Sequence, residues 1–340
     1  MRFNAYLLLT ALLWSLGSPH ACQAQYLVWQ AYDRAGAEAY ADHDLNGATE
    51  NYKRALAEAR RGSYLAAIAH SGIRLGDLQY ERGDFASAAD SFAVSLRAFE
   101  ANRESNPKED GTKLGGVDVL SALSGMAAAS QRLGKLEDAE QFLRLGMRIE
   151  ENRQECDLCR QMQLLNGLSE CKFAQRDLIA VEALTGEAQR LVSTVGESHP
   201  LVGDLQMLQA ALLSERGDHA AATELAHSSL SLMHKNYPPG SPKIAWARLL
   251  LGQIEHGRGS HTAGTRSVST ATEALRDALT GDHPDVETAE RLHAASKLLS
   301  KPTAMPAKPA SGKTSPSKSP PLQTDAPSKK SQPAPKAAKK

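Results

Sequence analysis

The sequence predicts an all-α protein: a right-handed superhelical solenoid of stacked helical hairpins with a disordered C-terminal tail. Three observations carry this expectation. Apolar residues make up 41% of the 340 residues, alanine and leucine dominate them, and aromatics are only 5%. Alanine and leucine lose little side-chain freedom in a helix, so this balance favours helices over strands. A motif of glycine, alanine and large apolar residues returns at intervals close to 42 residues. From Lys301 onward the composition changes abruptly to Pro, Lys, Ser and Ala.

The first segment, 1–24, reads as an export signal. Arg2 supplies the positive start, Leu7 to Leu16 is an apolar run, Pro19 follows, and Cys22-Gln23-Ala24 places small residues where a signal peptidase reads them. The apolar run is shorter than the roughly 20 residues that span a bilayer. Cleavage is expected near Ala24, leaving a mature protein that is periplasmic or secreted. The alanine-rich sequence and the style of the signal suggest a bacterial source. An uncleaved anchor or a buried first helix is the alternative reading.

The repeats occupy 25–300. The best-formed copy is Leu75-Gly76, Tyr80, Gly83-Asp84-Phe85, Ala88, Phe92 and Leu96. Others follow Gly134-Lys135-Leu136, Arg176-Asp177-Leu178 and Gly217-Asp218-His219, and a sixth centres on Leu251-Gly252 and Gly259. The N-terminal copy runs through Gly36, Tyr40, Asp44-Leu45, Ala48 and Tyr52. From Gly134 to Arg176 is 42 residues, from there to Gly217 is 41, and from there to Gly259 is 42. From His43, which fills the glycine slot of the first copy, to Gly83 is 40; only Gly83 to Gly134 is long, at 51. The excess falls in 102–116, rich in Asn, Pro, Gly and charge, and reads as an inserted loop. Each copy suits two amphipathic helices joined at the Gly-Asp step, where glycine takes the left-handed conformation that ends a helix. One hairpin cannot bury its own apolar face, and stacking makes the core continuous.

This pattern resembles the tetratricopeptide repeat. The long period and the links Gly196-Glu197-Ser198-His199-Pro200 and Gly281-Asp282-His283-Pro284 resemble the longer variant found in kinesin light chains. The resemblance covers about Ala31 to Leu299 and implies about six hairpins in a superhelix. The first and fourth copies lack the turn glycine, and Gly264 stands near the small-residue slot of the sixth. These departures predict distortion at three repeats. Asp285 to Leu299 reads as a capping helix with one wet face.

The tail, 301–340, carries nine lysines against the single acid Asp325, a net +8. The whole chain is neutral, so 1–300 carry −8. A segment so poor in apolar residues cannot offset its ordering entropy. It reads as a solvated spacer. Attachment to an anionic envelope polymer, or to nucleic acid were the chain cytoplasmic, is the alternative.

Little in the sequence points to chemistry. There is no Walker loop, nucleophile elbow or dinucleotide fingerprint, and the eleven histidines are scattered. Neither a cofactor nor a small-molecule substrate is expected. Cys156-Asp157-Leu158-Cys159 lacks the strand–helix context of a redox pair, and no histidine between 150 and 198 completes a zinc site. Cys156 or Cys159 is expected to pair with Cys171 in a structural disulfide. Free buried thiols and a metal or redox role stay open. His199 and His283, each before a proline, suit a turn or packing role.

The repeat resemblance implies a concave groove lined by the first helix of each pair. Alignment on the turn glycine places Ile73, Asp77 and Tyr80 there, with Asn166, Glu170 and Phe173, then Met207 and Ala211, and finally Trp246, Leu249, Gln253 and His256. Polar and aromatic residues alternate in this set, which suits an extended peptide. None of these positions carries Lys or Arg, so the cationic clamp by which some members of the family hold a C-terminal carboxylate is not expected. The acidic body favours neutral or basic ligands. The expected function is therefore a non-catalytic scaffold that binds a peptide or protein. Intact mass of protein made with its native N-terminus is expected to give a chain starting near Gln25; a chain starting at Met1 would remove the export reading.

Overall fold

A computed structural model describes residues 19–108, 110–279 and 281–300. The expected export segment lies outside these residues as far as residue 18, and the tail from 301 lies wholly outside them. Thirteen helices are present among the described residues: α1 (Pro19–Ala41), α2 (Leu45–Arg61), α3 (Leu65–Glu81), α4 (Phe85–Ser105), α5 (Val119–Arg132), α6 (Leu136–Glu151), α7 (Leu158–Ala174), α8 (Leu178–Val195), α9 (Pro200–Glu215), α10 (His219–Asn236), α11 (Pro242–Gly257), α12 (His261–Ala278) and α13 (Pro284–Leu299). They pair as six hairpins, α1/α2 to α11/α12, with α13 packed against α12. The helix α1 runs unbroken through Ala24, so the expected cleavage site falls inside a helix.

One joint recurs inside every hairpin. In the second, Gly83 has φ +78; its N–H donates to the Tyr80 carbonyl (3.0 Å) and the Asp84 N–H to the Gln79 carbonyl (2.9 Å). Those two bonds satisfy carbonyls that the end of a helix leaves bare. Asp84 then caps the next helix, its Oδ1 accepting from the Ser87 N–H at 3.1 Å. A single residue thus closes one helix and opens the next. Asp44, Asp177 and Asp218 cap in the same way, onto Gly47, Ala180 and Ala221. Lys135 and Ser260 hold the position without a side-chain cap.

The distortion expected where glycine is missing is not found. His43 (φ 61) and Arg176 (φ 64) take the left-handed conformation themselves and make both backbone bonds. The hydrogen bonds of the joint and the packing around it hold them there despite the steric cost at Cβ. The small-residue slot lies five positions after each joint. Ala48, Ala88, Ala139, Val181 and Ala222 are fully buried there, and Gly264 fills the slot in the sixth hairpin, buried against α11.

The insertion is more ordered than a loop. Lys113–Leu114 (β1) pairs antiparallel with Val117–Asp118 (β2) through Gly115 and Gly116, both at positive φ. Two consecutive glycines of that kind are what a two-residue hairpin turn requires. Leu114 and Val117 pack on the cluster of Ala69, Phe99 and Leu120, and Asp118 caps α5 through the Leu120 N–H.

The joints differ in surroundings, and that gives a test. A Cβ at Gly217 would meet nothing within 4 Å, whereas one at Gly83 would stand 2.5 Å from Pro284 Cδ. Gly217→Ala should cost only the left-handed backbone penalty, about 1–2 kcal/mol. Gly83→Ala should cost that and a collision, about 2–4 kcal/mol in all. Urea unfolding midpoints of the two variants measure the difference.

Candidate functional site

The first helices of the hairpins line a groove, and counting back from each left-handed joint residue shows which positions face it. In the second to sixth hairpins the sixth position back is Asp77, Ala128, Glu170, Ala211 and Gln253; in the third to sixth the thirteenth is Ser121, Gln163, Asp204 and Trp246. All nine line one of two hollows. Two helical turns separate the two positions, so they form one stripe. The tenth position lies deeper: Ile73, Asn166, Met207 and Leu249 are buried there, and of these Met207 and Leu249 still reach the larger hollow.

The larger hollow, of about 510 Å³, is formed by α7, α9, α11 and α13, with Met233 of α10. It brings together Glu170, Phe173, Met207, Ala211, Trp246, Leu249 and Gln253 from the expected set. Met207, Ala211 and Leu249 form its apolar floor, and Leu250 and Leu292 extend it. Asp77 and Tyr80 line the smaller hollow, of about 380 Å³, with Ser121, Ser124, Arg160 and Gln163. Two expected residues face elsewhere. Asn166 is buried and donates to the Leu201 carbonyl (3.1 Å), tying α7 to α9. His256 lies beneath α13, its Nε2 against Ser296 Oγ and its Nδ1 3.3 Å from His261 Nδ1.

The groove does carry cations, contrary to the sequence reading. Lys243 borders the larger hollow, its Nζ 2.6 Å from Asp204 Oδ2 and 3.0 Å from Tyr237 Oη. Arg132, at the end of α5, is paired with Asp285 and lies over the rings of Phe85 (4.7 Å) and Trp246 (5.8 Å). Arg160 pairs with Asp118. Each cation already has an internal carboxylate. Glu170 makes no hydrogen bond or ion pair among the described residues, although its side chain is open to the water of the groove.

Enclosure by the groove walls raises the Glu170 carboxyl to about 7, with Asp204 adding like charge and Lys243 opposing. Enclosure, with Glu81 next, raises Asp77 to about 6 against Arg74. Burial raises the Tyr80 phenol; Arg132 works against it and Glu170 with it.

The expected disulfide is not formed: Cys156, Cys159 and Cys171 are free thiols. Cys159 and Cys171 share α7, twelve residues and so about 18 Å apart along its axis, whereas a disulfide needs Cα atoms within about 7 Å. Cys156 lies beyond the N-terminal end of that helix, on the side away from Cys171. Cys171 is buried against Gln131 Nε2 (2.9 Å), and burial pushes its thiol up. Cys159 Sγ is 3.7 Å from His199 Nε2. His199 and His283 turn out to be helix caps: Nδ1 of each accepts the N–H two residues on, from Leu201 (3.2 Å) and Asp285 (3.1 Å). Among the described residues no group of three His, Cys, Asp or Glu is placed to hold a metal ion.

No family model matches the sequence, and no curated protein is similar to it. Solved structures are. The apo form of RapI superposes with a TM-score of 0.59 at 13% identity, over 80% of this chain and 90% of that one. Aspartyl phosphate phosphatase F from Bacillus subtilis gives 0.55 at 11%, over 86% and 75%. A Rap protein complexed with competence and sporulation factor gives 0.51 at 10%, over 80% and 75%. At these identities the likeness is one of fold: the chain is a tetratricopeptide-like helical repeat protein.

The raised Glu170 carboxyl makes stability depend on pH with a definite sign. Between the ordinary carboxyl value and about 7, the folded state binds more protons than the unfolded state, so this group's contribution is present in acid and lost as pH rises through about 7. Glu170→Gln should therefore match the parent at pH 5 and exceed it in melting temperature at pH 8. Carbon-detected NMR of the parent should place the Glu170 midpoint near 7.

Proposed function

We propose that this chain is a non-catalytic scaffold whose groove holds an extended segment of a peptide or protein partner. The carrying observation is the larger hollow: a floor of Met207, Ala211, Leu249, Leu250 and Leu292, walls of Phe173 and Trp246, and a rim of Glu170, Asp204, Lys243 and Gln253. Such a floor takes an apolar side chain, and the rim can bond a peptide backbone. Because Lys243 is paired with Asp204, the carboxylate left uncompensated is Glu170, which favours a basic residue beside the apolar anchor. A Rap protein of the same fold was solved in complex with competence and sporulation factor, so the fold is compatible with such capture. The composition of residues 2–24 supports meeting this partner outside the cytoplasm.

Arrayed peptides pairing an aromatic or aliphatic residue with a nearby lysine provide the test, followed by calorimetry of the best binder on the full chain. Gln253→Arg and Phe173→Ala, at the rim and wall, should each weaken binding by about tenfold or more. Ile179→Ser, at an 82% exposed position on α8 away from both hollows, should leave it unchanged. Preference for acidic peptides, or sensitivity only to Ile179→Ser, would overturn the reading.

A further inference from the structure

The start of α13 and His283 before it reach back across the groove to the second and third hairpins, about 200 and 150 residues earlier in the chain. Asp285 is almost fully buried, and its carboxylate bridges two elements that line the groove. One oxygen pairs with the Arg132 guanidinium on α5, and the other accepts from Trp246 Nε1 on α11 at 2.9 Å. Pro284 abuts the joint at Gly83, and the buried His283 ring stands edge-on to Phe85 at 6.2 Å. Arg132 also lies over both aromatic rings, so one guanidinium holds Phe85, Trp246 and Asp285 together.

None of this is needed to cap the solenoid. The capping face of α13 is made by Val286 and Ala289, with Leu292 alongside, packed on Leu249, Val268, Ala271 and Leu275. The hydrogen bonds from Thr265 and Thr272 of α12 to the carbonyls of Ser296 and Ala289 secure the same face. The His283–Asp285 segment instead meets, through Arg132, residues of both hollows: Arg132 lies over the Trp246 ring of the larger one and acts by its charge on Tyr80 of the smaller one.

We propose that His283-Pro284-Asp285 is an internal latch across the groove, held by Arg132 and Trp246, and that a partner spanning both hollows must release it. The chain's own carboxylate occupies the position that a passing segment would need. Release costs an ion pair and a hydrogen bond but leaves the apolar seat of α13 in place. The latch therefore opens as a local event and not by unfolding of the last repeat. Its role in admission rests on the peptide reading above; its existence as an independently opening unit does not.

Amide hydrogen exchange of the full chain, read by mass spectrometry without any ligand, separates the two. Arg132→Met keeps the aliphatic stem and removes the guanidinium. It should speed exchange of the Asp285 amide, bonded to His283 Nδ1, and of the first turn of α4 by about tenfold or more, with Ala289 to Ser296 unchanged. Asp285→Asn added to Arg132→Met removes the buried unpaired charge while keeping an acceptor for Trp246, and should restore part of the protection. Unchanged exchange in Arg132→Met, a rise spread evenly along α13, or no recovery in the double variant would overturn the latch. A latch that behaves as stated while no peptide binds would instead count against the groove reading alone.

Discussion

Seven times along the chain, once inside each hairpin and once at Ser63 between the first two, a helix ends on a left-handed residue whose successor opens the next helix. Everything else in the solenoid depends on this joint. Its two backbone bonds leave little slack between the helices, so the joint constrains how they leave each other within each hairpin. Its regularity puts the small residue five positions later at the closest approach of the pair, and the groove stripe six and thirteen positions earlier on the opposite side. That His43 and Arg176 accept the conformation shows how strongly the surroundings impose it.

The same regularity explains the electrostatics of the groove. Carboxylates and cations enter the stripe from different hairpins and meet across it: Lys243 with Asp204, Arg132 with Asp285. Once those pairs form, Glu170 and Asp77 are left without a partner, and a neighbouring carboxylate, Asp204 or Glu81, adds like charge to the partial enclosure that the groove walls give each of them. The apolar floor and the unneutralised rim belong to one construction.

The architecture was legible in the sequence because the joint has a chemical signature. Glycine at four of the six hairpin joints and aspartate after four of them, with Ala, Gly or Val five positions on, recur at a period that chance does not produce. The groove was half legible. Asp77, Glu170 and Gln253 followed from the joint by helical counting, and Asp204 would have followed from extending the count two turns further. The count failed at Asn166, which the tenth-position register sends into the helix interface. At His256 it failed because α13 covers the end of α11. Arg132 and Lys243 were missed because they act from helix ends, which no stripe predicts. The Gly115-Gly116 hairpin had a signal, two adjacent glycines in a short insertion, but alternation over two-residue strands is too brief to read. The disulfide expectation failed for lack of one piece of geometry: Cys159 and Cys171 lie on one straight helix.

The joint also determines where this chain can change length. A helix turns about 100° per residue, so one residue added between Gly83 and Asp84 would rotate all that follows out of phase with all that precedes. The added residues of the second repeat sit instead between α4 and α5, where the β-hairpin folds back on itself and returns the chain to its starting register. From the second hairpin onward the links between hairpins act as expansion seams and the joints within them as indexing teeth; the first link, at Ser63, is itself such a joint. A lineage built on this scaffold can lengthen its seams freely while the angular order of its groove residues stays intact.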